Sequence, residues 1–503
     1  MPKPVLKLFR SHRIPRAART LPALVAGAVV SVLSVVSAAG LVSIGLETGL
    51  IAPQPERAKD TPVVFVPGVT GTKLRDPSTG ELVWGASEQL MRPRDGGYRI
   101  VLPLSVGDPL LPNAGPPHPQ ARYEAVEPIW QLRFVSWNKM IYRPLLERFE
   151  LEGYRLGDLA APRPGDSFFF FNYDWRYGNL ESVGQLDRQL EALSASRGGI
   201  EVDLICQSNA AKICRWLAKY GSLTADSAQA GETWRRGYGI RKIILVGASN
   251  SGALRVLQLL TQGRRYVPLI GRQLYPETFF SIRPLFEDLP TGRKDLFFDV
   301  RGRTLDVDLF DPRNWPKYGW SIFSSTATER LRREPRSDLF GDREAQFEYL
   351  RRQLTQAGQL QKLLQEDSDH FPSIRYYRLE NDSSPTIDRA LLLKERGHWK
   401  TYFLGDSRVD RDSVLKNLAS APGDGHAVLG SQRGLSPQET AALVGTKIVD
   451  GGHFDAVTQP AALDALLEFL AEPVEPDPEG PAGDPERGLA ALPSSSSSLQ
   501  QGH

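Results

Sequence analysis

The chain has 503 residues, 41% hydrophobic and 24% charged, with a formal net charge of +2. That is enough to bury one large core or two smaller ones, and so balanced a charge gives no support to a polyanion partner such as nucleic acid. Only two cysteines occur, Cys206 and Cys214, which excludes a disulfide framework and a cysteine-rich metal site.

Residues 1–20 carry Lys3, Lys7, Arg10, Arg13, Arg16 and Arg19 and no acid. Residues 21–46 carry no charge at all, and a bilayer needs about 20 apolar residues. A basic flank ahead of such a run predicts a cytosolic N-terminus and export of the rest of the chain. Cleavage at Val36-Ser37-Ala38 would make the run a signal sequence. Its continuation past that site favours an uncleaved transmembrane anchor. The expected location is therefore outside the cytoplasm, tethered to the membrane, or secreted if the segment is cleaved. Residues 47–60 read as a linker.

Pro62 to Val66 is a short apolar strand, and it feeds a glycine-containing loop, Pro67 to Gly71. Such a loop can supply the Val69 N–H to an oxyanion hole. Residues 72–140 show no sustained periodicity and read as a lid-like insertion. A helix is expected over 140–152, a buried strand over 167–173 and a helix over 181–195.

Glu201 to Cys206 is the next strand. It meets a sharp turn at Ser208, and a helix with apolar residues three and four apart runs from Ala210 to a cap at Gly221. A serine on a strand-to-helix turn is where an α/β-hydrolase exposes its nucleophile, with the N–H of the following residue, here Asn209, as an oxyanion donor. The usual G-x-S-x-G is replaced by Cys206-Gln207-Ser208-Asn209-Ala210.

Arg241 to Val246 is a further strand, and Gly247-Ala248-Ser249-Asn250-Ser251-Gly252 makes a second elbow-like turn before a helix. Ser249 is thus an alternative nucleophile. Strand order favours Ser208. The nucleophile strand should neighbour the strand that carries the oxyanion loop, and Ser249 belongs one strand further out.

Residues 261–370 break the strand–helix rhythm and read as a cap insertion, with a helix over 344–365. Residues 61–260 and 371–471 would form the core. Within it, 373–379 is a strand, Pro422-Gly423-Asp424-Gly425 a turn, Asp450-Gly451-Gly452-His453 a loop and 460–471 the last helix. Residues 472–503 are rich in Pro, Gly, Glu and Ser and should be disordered.

A serine needs a base to take its proton and a carboxylate to orient that base, in the chain order Ser, acid, His. Seven histidines make the search short. His453 lies where the base belongs. Asp424 suits the acid, with Asp382 and Asp406 as alternatives, and His426 shares the Asp424 loop.

Several stretches resemble the lecithin:cholesterol acyltransferase-like group of α/β-hydrolases, which includes phospholipid:diacylglycerol acyltransferases. They are V-V-F-V-P-G-V-T-G-T-K-L with E-L-V-W-G, F-N-Y-D-W-R, the R-W-L-A-K-Y-G helix, V-G-A-S-N-S-G, P-G-D-G-H and G-G-H-F. The resemblance covers residues 61–470 in scattered pieces and departs from the group at the elbow and in its missing disulfides. It implies an α/β-hydrolase fold and a catalytic triad of Ser208, Asp424 and His453, with Val69 and Asn209 as oxyanion donors. It also implies acyl transfer from a lipid ester to an alcohol or to water, with no metal or organic cofactor. A catalytically silent lipid- or partner-binding fold and an esterase for soluble esters are the competing expectations.

Overall fold

A computed structural model describes residues 61–474, except 94, 108–117, 134–137, 267–270, 369–370 and 372. The basic leader, the 21–46 segment, the 47–60 linker and the tail beyond 474 lie outside the described residues, as do Trp137 and His370. Among the described residues no helix is long and apolar enough to cross a membrane.

Seven strands form the central sheet, and every pairing in it is parallel. They are β1 (Val63–Val66), β2 (Leu156–Asp158), β3 (Phe168–Phe170), β4 (Glu201–Gln207), β5 (Gly239–Val246), β6 (Arg375–Glu380) and β7 (Leu443–Ile448). The central ones are continuous apolar runs, as expected of parallel strands covered on both faces. Their order is β7-β6-β5-β4-β1-β3-β2. From β1 the chain moves to one side of the sheet; from β4 it moves to the other. The winding therefore reverses between β1 and β4, which leaves a crevice at their C-terminal ends. The fold is α/β, and β4 lies between β1 and β5, as strand order predicted.

The helices around this sheet and its flanks include α1 (Arg143–Leu151), α2 (Asn179–Arg197), α3 (Ala210–Tyr220), α4 (Leu254–Gln262), α5 (Arg283–Glu287), α6 (Arg343–Gln365), α7 (Pro437–Ala441) and α8 (Pro460–Ala471). The 72–140 region holds strands of three to five residues, including an antiparallel set at Thr72–Arg75, Leu82–Trp84 and Glu124–Pro128. Strands that short carry too few residues to show a period. The 261–370 region is joined to later sequence: Phe297–Phe298 pairs with Ala390 and Leu391 in a small four-stranded sheet.

Helix α3 is buried along its whole length, charged residues included. Lys212, Arg215 and Lys219 are spaced three and four apart, so they share one face, and that face points inward. Lys212 Nζ is 2.6 Å from Asp288 at the end of α5. Arg215 makes two bonds to Glu439 on α7, at 2.8 and 2.6 Å, and a third to the Leu364 carbonyl at 2.9 Å. Lys219 donates to the Leu364 and Glu366 carbonyls at 2.8 and 2.7 Å. These carbonyls belong to the end of α6, where four C=O groups have no helical partner and the dipole favours a cation. Breaking one buried pair leaves its partner uncompensated. Glu439→Gln should therefore lower unfolding free energy by about 3–5 kcal/mol in a urea titration, and Arg215→Met with Glu439→Leu should recover most of it.

Candidate active site

The crevice between β1 and β4 is lined by two strained turns. Ser208 follows β4 with φ of +60°, and Thr70 follows β1 with φ of +71°; both are left-handed values that side chains rarely adopt. The two turns touch. A methyl group on Gly68 would stand 2.9 Å from Ser208 Cβ, so only glycine fits there.

Three aromatic donors pin the 67–72 loop. Tyr173 Oη donates to the Pro67 carbonyl at 2.8 Å, Trp84 Nε1 to Thr70 at 3.0 Å and Trp175 Nε1 to Thr72 at 2.9 Å. This gives the Y-D-W-R stretch a physical role, since two of its residues hold the loop in shape. Val69 follows the Gly68 that abuts Ser208 and Asn209 follows Ser208 itself, and the N–H of neither has a recorded acceptor among the described residues.

His453 Nε2 lies 2.8 Å from Ser208 Oγ, and His453 Nδ1 lies 2.6 Å from Asp424 Oδ2. The other Asp424 oxygen accepts the N–H groups of His426 and Ala427 at 2.8 and 2.7 Å. Gly247, at φ of +51°, runs beneath the pair: a methyl group there would meet Asp424 Oδ2 at 3.2 Å and His453 Nδ1 at 3.5 Å. Burial pushes the Asp424 carboxyl up, but the charge and bond of His453, then the charge of His426 and the N–H of Ala427, bring it below its ordinary value. Burial pulls His453 down. The charge and bond of Asp424, with the charge of Asp288 behind, outweigh it and leave His453 above its ordinary 6.5.

Ser249 is not in this group. It is fully buried, and its hydroxyl donates to Asp288 Oδ1 at 2.5 Å. Asp406 is engaged elsewhere, by Gln262 and the Phe403 N–H, each at 2.8 Å. Asp382 has no bond to His453 among the described contacts. Among the described residues no cluster of three or more His, Cys, Asp or Glu side chains could hold a metal ion. A cavity of about 510 Å³ lies beyond the acid loop, lined by residues such as Leu254, Ile387, Pro422 and Val428 and not by the Ser208, His453 and Asp424 side chains.

Three of the elbow residues, Cys206, Gln207 and Asn209, each have a partner. Cys206 and Cys214 are joined in a single local disulfide, with Cα atoms 6.5 Å apart, a pairing that the sequence reading did not anticipate. The physical reason is local. Cys206 ends β4, Cys214 sits one turn into α3, and the sharp turn between them brings both sulfurs to the strand–helix seam. The Gln207 side chain accepts from Tyr142 Oη at 2.7 Å. Asn209 and Asn179 form a reciprocal amide pair at 2.8 and 3.2 Å, and the Asn179 N–H donates to Glu287 at 2.9 Å. Burial pushes the Glu287 carboxyl up to about 8.

No family model and no curated protein sequence matches this chain. Among solved structures it is similar to a chain of the Tle4-Tli4 complex, at 13% identity and a TM-score of 0.49, covering 82% of this chain and 98% of that one. It is also similar to the Bacillus licheniformis lipase BlEst2 in its mature form, at 10% identity and a TM-score of 0.28, covering 83% and 94%. Likenesses this distant carry no argument, and the fold assignment rests on the sheet itself.

Sequence reasoning missed the disulfide, the Asn209–Asn179 pair and the Asp288–His426 contact beside His453. The separation of eight residues across a strand-to-helix turn was the one available signal for the disulfide. Closing so short a loop restricts the unfolded chain by about 2.5 kcal/mol. Replacing both cysteines by alanine should lower unfolding free energy by about that amount in a denaturant titration, with no effect of reductant on the variant.

Proposed function

We propose that this chain is a serine-dependent acyl-ester enzyme of α/β-hydrolase type acting on lipids, with Ser208 as nucleophile, His453 as base and Asp424 as its orienting acid. The observation that carries the reading is the unbroken bond series from Ser208 Oγ through His453 to Asp424, at 2.8 and 2.6 Å. His453 takes the proton as Ser208 Oγ attacks the ester carbonyl. Asp424 stabilises the imidazolium and fixes the tautomer. The oxyanion is held by the N–H groups of Val69 and Asn209, which are free to donate. His453 then protonates the leaving alcohol, which departs and leaves an acyl-Ser208. Water or an acceptor alcohol, deprotonated by His453, releases the acyl group.

The lipid substrate is supported by the sequence resemblance. It is further supported by Phe454, the apolar side chain next to the base, which is 40% exposed. Phe454 contacts the His453 ring edge-on at 5.7 Å, and Lys139 lies over Phe454. Whether water or an alcohol accepts the acyl group depends on acceptor access. Membrane attachment through residues 21–46 belongs to the same proposal.

Fluorophosphonate labelling of the full chain, with mapping of the modified peptide, tests the reading. Label is expected on Ser208 and is expected to vanish in Ser208→Ala and His453→Ala. Label on Ser249 would overturn the assignment. Absence of label on folded protein would point to a silent binding fold. Asp424→Asn should slow ester turnover by about 10⁴-fold, because the wrong tautomer then faces Ser208. His453 accepts a proton only when neutral, and its folded value lies above 6.5. The rate should therefore fall as pH drops through a midpoint above 6.5, not below it, in a pH–rate profile on a short-chain ester.

A further inference from the structure

One cluster of titratable groups touches the triad without belonging to it. His426 lies two residues after Asp424, and its ring packs against that of His453 in a tilted arrangement, with centroids 4.6 Å apart and planes at 30°. Its Nε2 is 3.3 Å from Asp288 Oδ2. Asp288 is buried and held from its other side by Lys212 at 2.6 Å and by the Ser249 hydroxyl at 2.5 Å. Two histidine–carboxylate pairs, His453 with Asp424 and His426 with Asp288, thus stand ring against ring. A proton on His426 Nε2 satisfies Asp288, and that tautomer leaves the ring neutral.

We propose that His426 is a positioning residue: anchored by Asp288 and packed against His453, it holds the base with Nε2 toward Ser208 and keeps water off the His453–Asp424 pair. This inference rests on the triad reading of Proposed function. An imidazole hydrogen-bonded only through its edges can still tilt about its side-chain bonds. A flat ring packed on one face, with Phe454 at the edge, removes that freedom. The packed ring also suits the reaction. His453 becomes a cation when Ser208 attacks, and the π face of a neutral ring attracts a cation. A charged His426 would repel it. Burial and the nearby His453 push His426 below its ordinary 6.5, against the pull of Asp288 and Asp424, so the neutral form is the one present when His453 is charged. The charged groups that face this pair are Asp288 with Lys212 behind it, Asp424, and Lys139 beyond Phe454.

The test uses the full chain and three variants, His426→Ala, His426→Gln and His426→Phe. One readout is the rate of fluorophosphonate labelling at Ser208. The other, independent of turnover, is the pH midpoint of diethylpyrocarbonate modification of His453, read by peptide mapping. His426→Ala should slow labelling by about tenfold to a hundredfold, the scale of a misplaced catalytic group. It should also displace the His453 midpoint from its wild-type value, because water admitted beside the pair relieves the burial of His453 and screens the field of Asp424. His426→Gln keeps a donor for Asp288 but no ring; it should behave as His426→Ala does, and it decides the matter if the alanine variant does not fold. His426→Phe restores the flat cover and should hold the midpoint above 6.5 with a smaller loss of rate. An unchanged labelling rate and an unchanged midpoint in the ringless variants would overturn the proposal. If Ser208 in the wild-type chain takes no label, the triad reading fails, and the His453 midpoint alone decides whether His426 shields the pair.

Discussion

The burial of α3 on every side is the constraint on which the rest of the structure depends. A helix whose N-terminus must sit beneath a strained serine is packed between the sheet and the α5–α7 elements, so none of its faces reaches water. Its three cations cannot be left there unpaired, since desolvating an isolated charge costs several kcal/mol. They are met by Asp288, by Glu439 and by the orphan carbonyls at the end of α6. Those partners lie on distant stretches of chain, some within the 261–370 region. The helix that carries the elbow therefore also ties that region to the sheet.

The elbow itself works as a set of mutual fits. Ser208 adopts a left-handed backbone, Gly68 gives it room, and Gly247 lets Asp424 and His453 close over the end of β5. The residues that depart from the usual elbow pattern are not loosely tolerated. Cys206 is tied to Cys214, Gln207 to Tyr142 and Asn209 to Asn179. In place of small residues that permit close approach, this chain uses bonds that fix it. The strain at Ser208 is thus held by covalent and polar contacts on both sides of the turn.

Asp288 links these two layers. It neutralises Lys212 on the buried helix, accepts the Ser249 hydroxyl and reaches His426 beside the base. The same carboxylate that satisfies the fold therefore adds to the field at the site. It also explains why two turns of similar sequence have different fates. Ser249 follows a glycine and looks like a nucleophile, yet its hydroxyl is used by Asp288 in the interior.

The sequence by itself determined the α/β class, the main strand and helix positions near the site, and the candidates Ser208, Asp424 and His453, which the structure brings within hydrogen-bond distance of one another. These are set by local apolar periodicity, by glycine-rich turns and by the scarcity of histidine, all of which can be read along the chain. Position in the sheet also separated Ser208 from Ser249, because strand order follows from the alternation of strands and helices. Only the tertiary structure decided what the charged face of α3 does, since a stripe at 212, 215 and 219 reads as a solvated face until its partners at 288, 364 and 439 are known. The Cys206–Cys214 bond, the Asn209–Asn179 pair and the packing of His426 against His453 were likewise invisible. Each depends on the direction in which a side chain leaves its element, and that direction is fixed by packing between segments far apart in the chain.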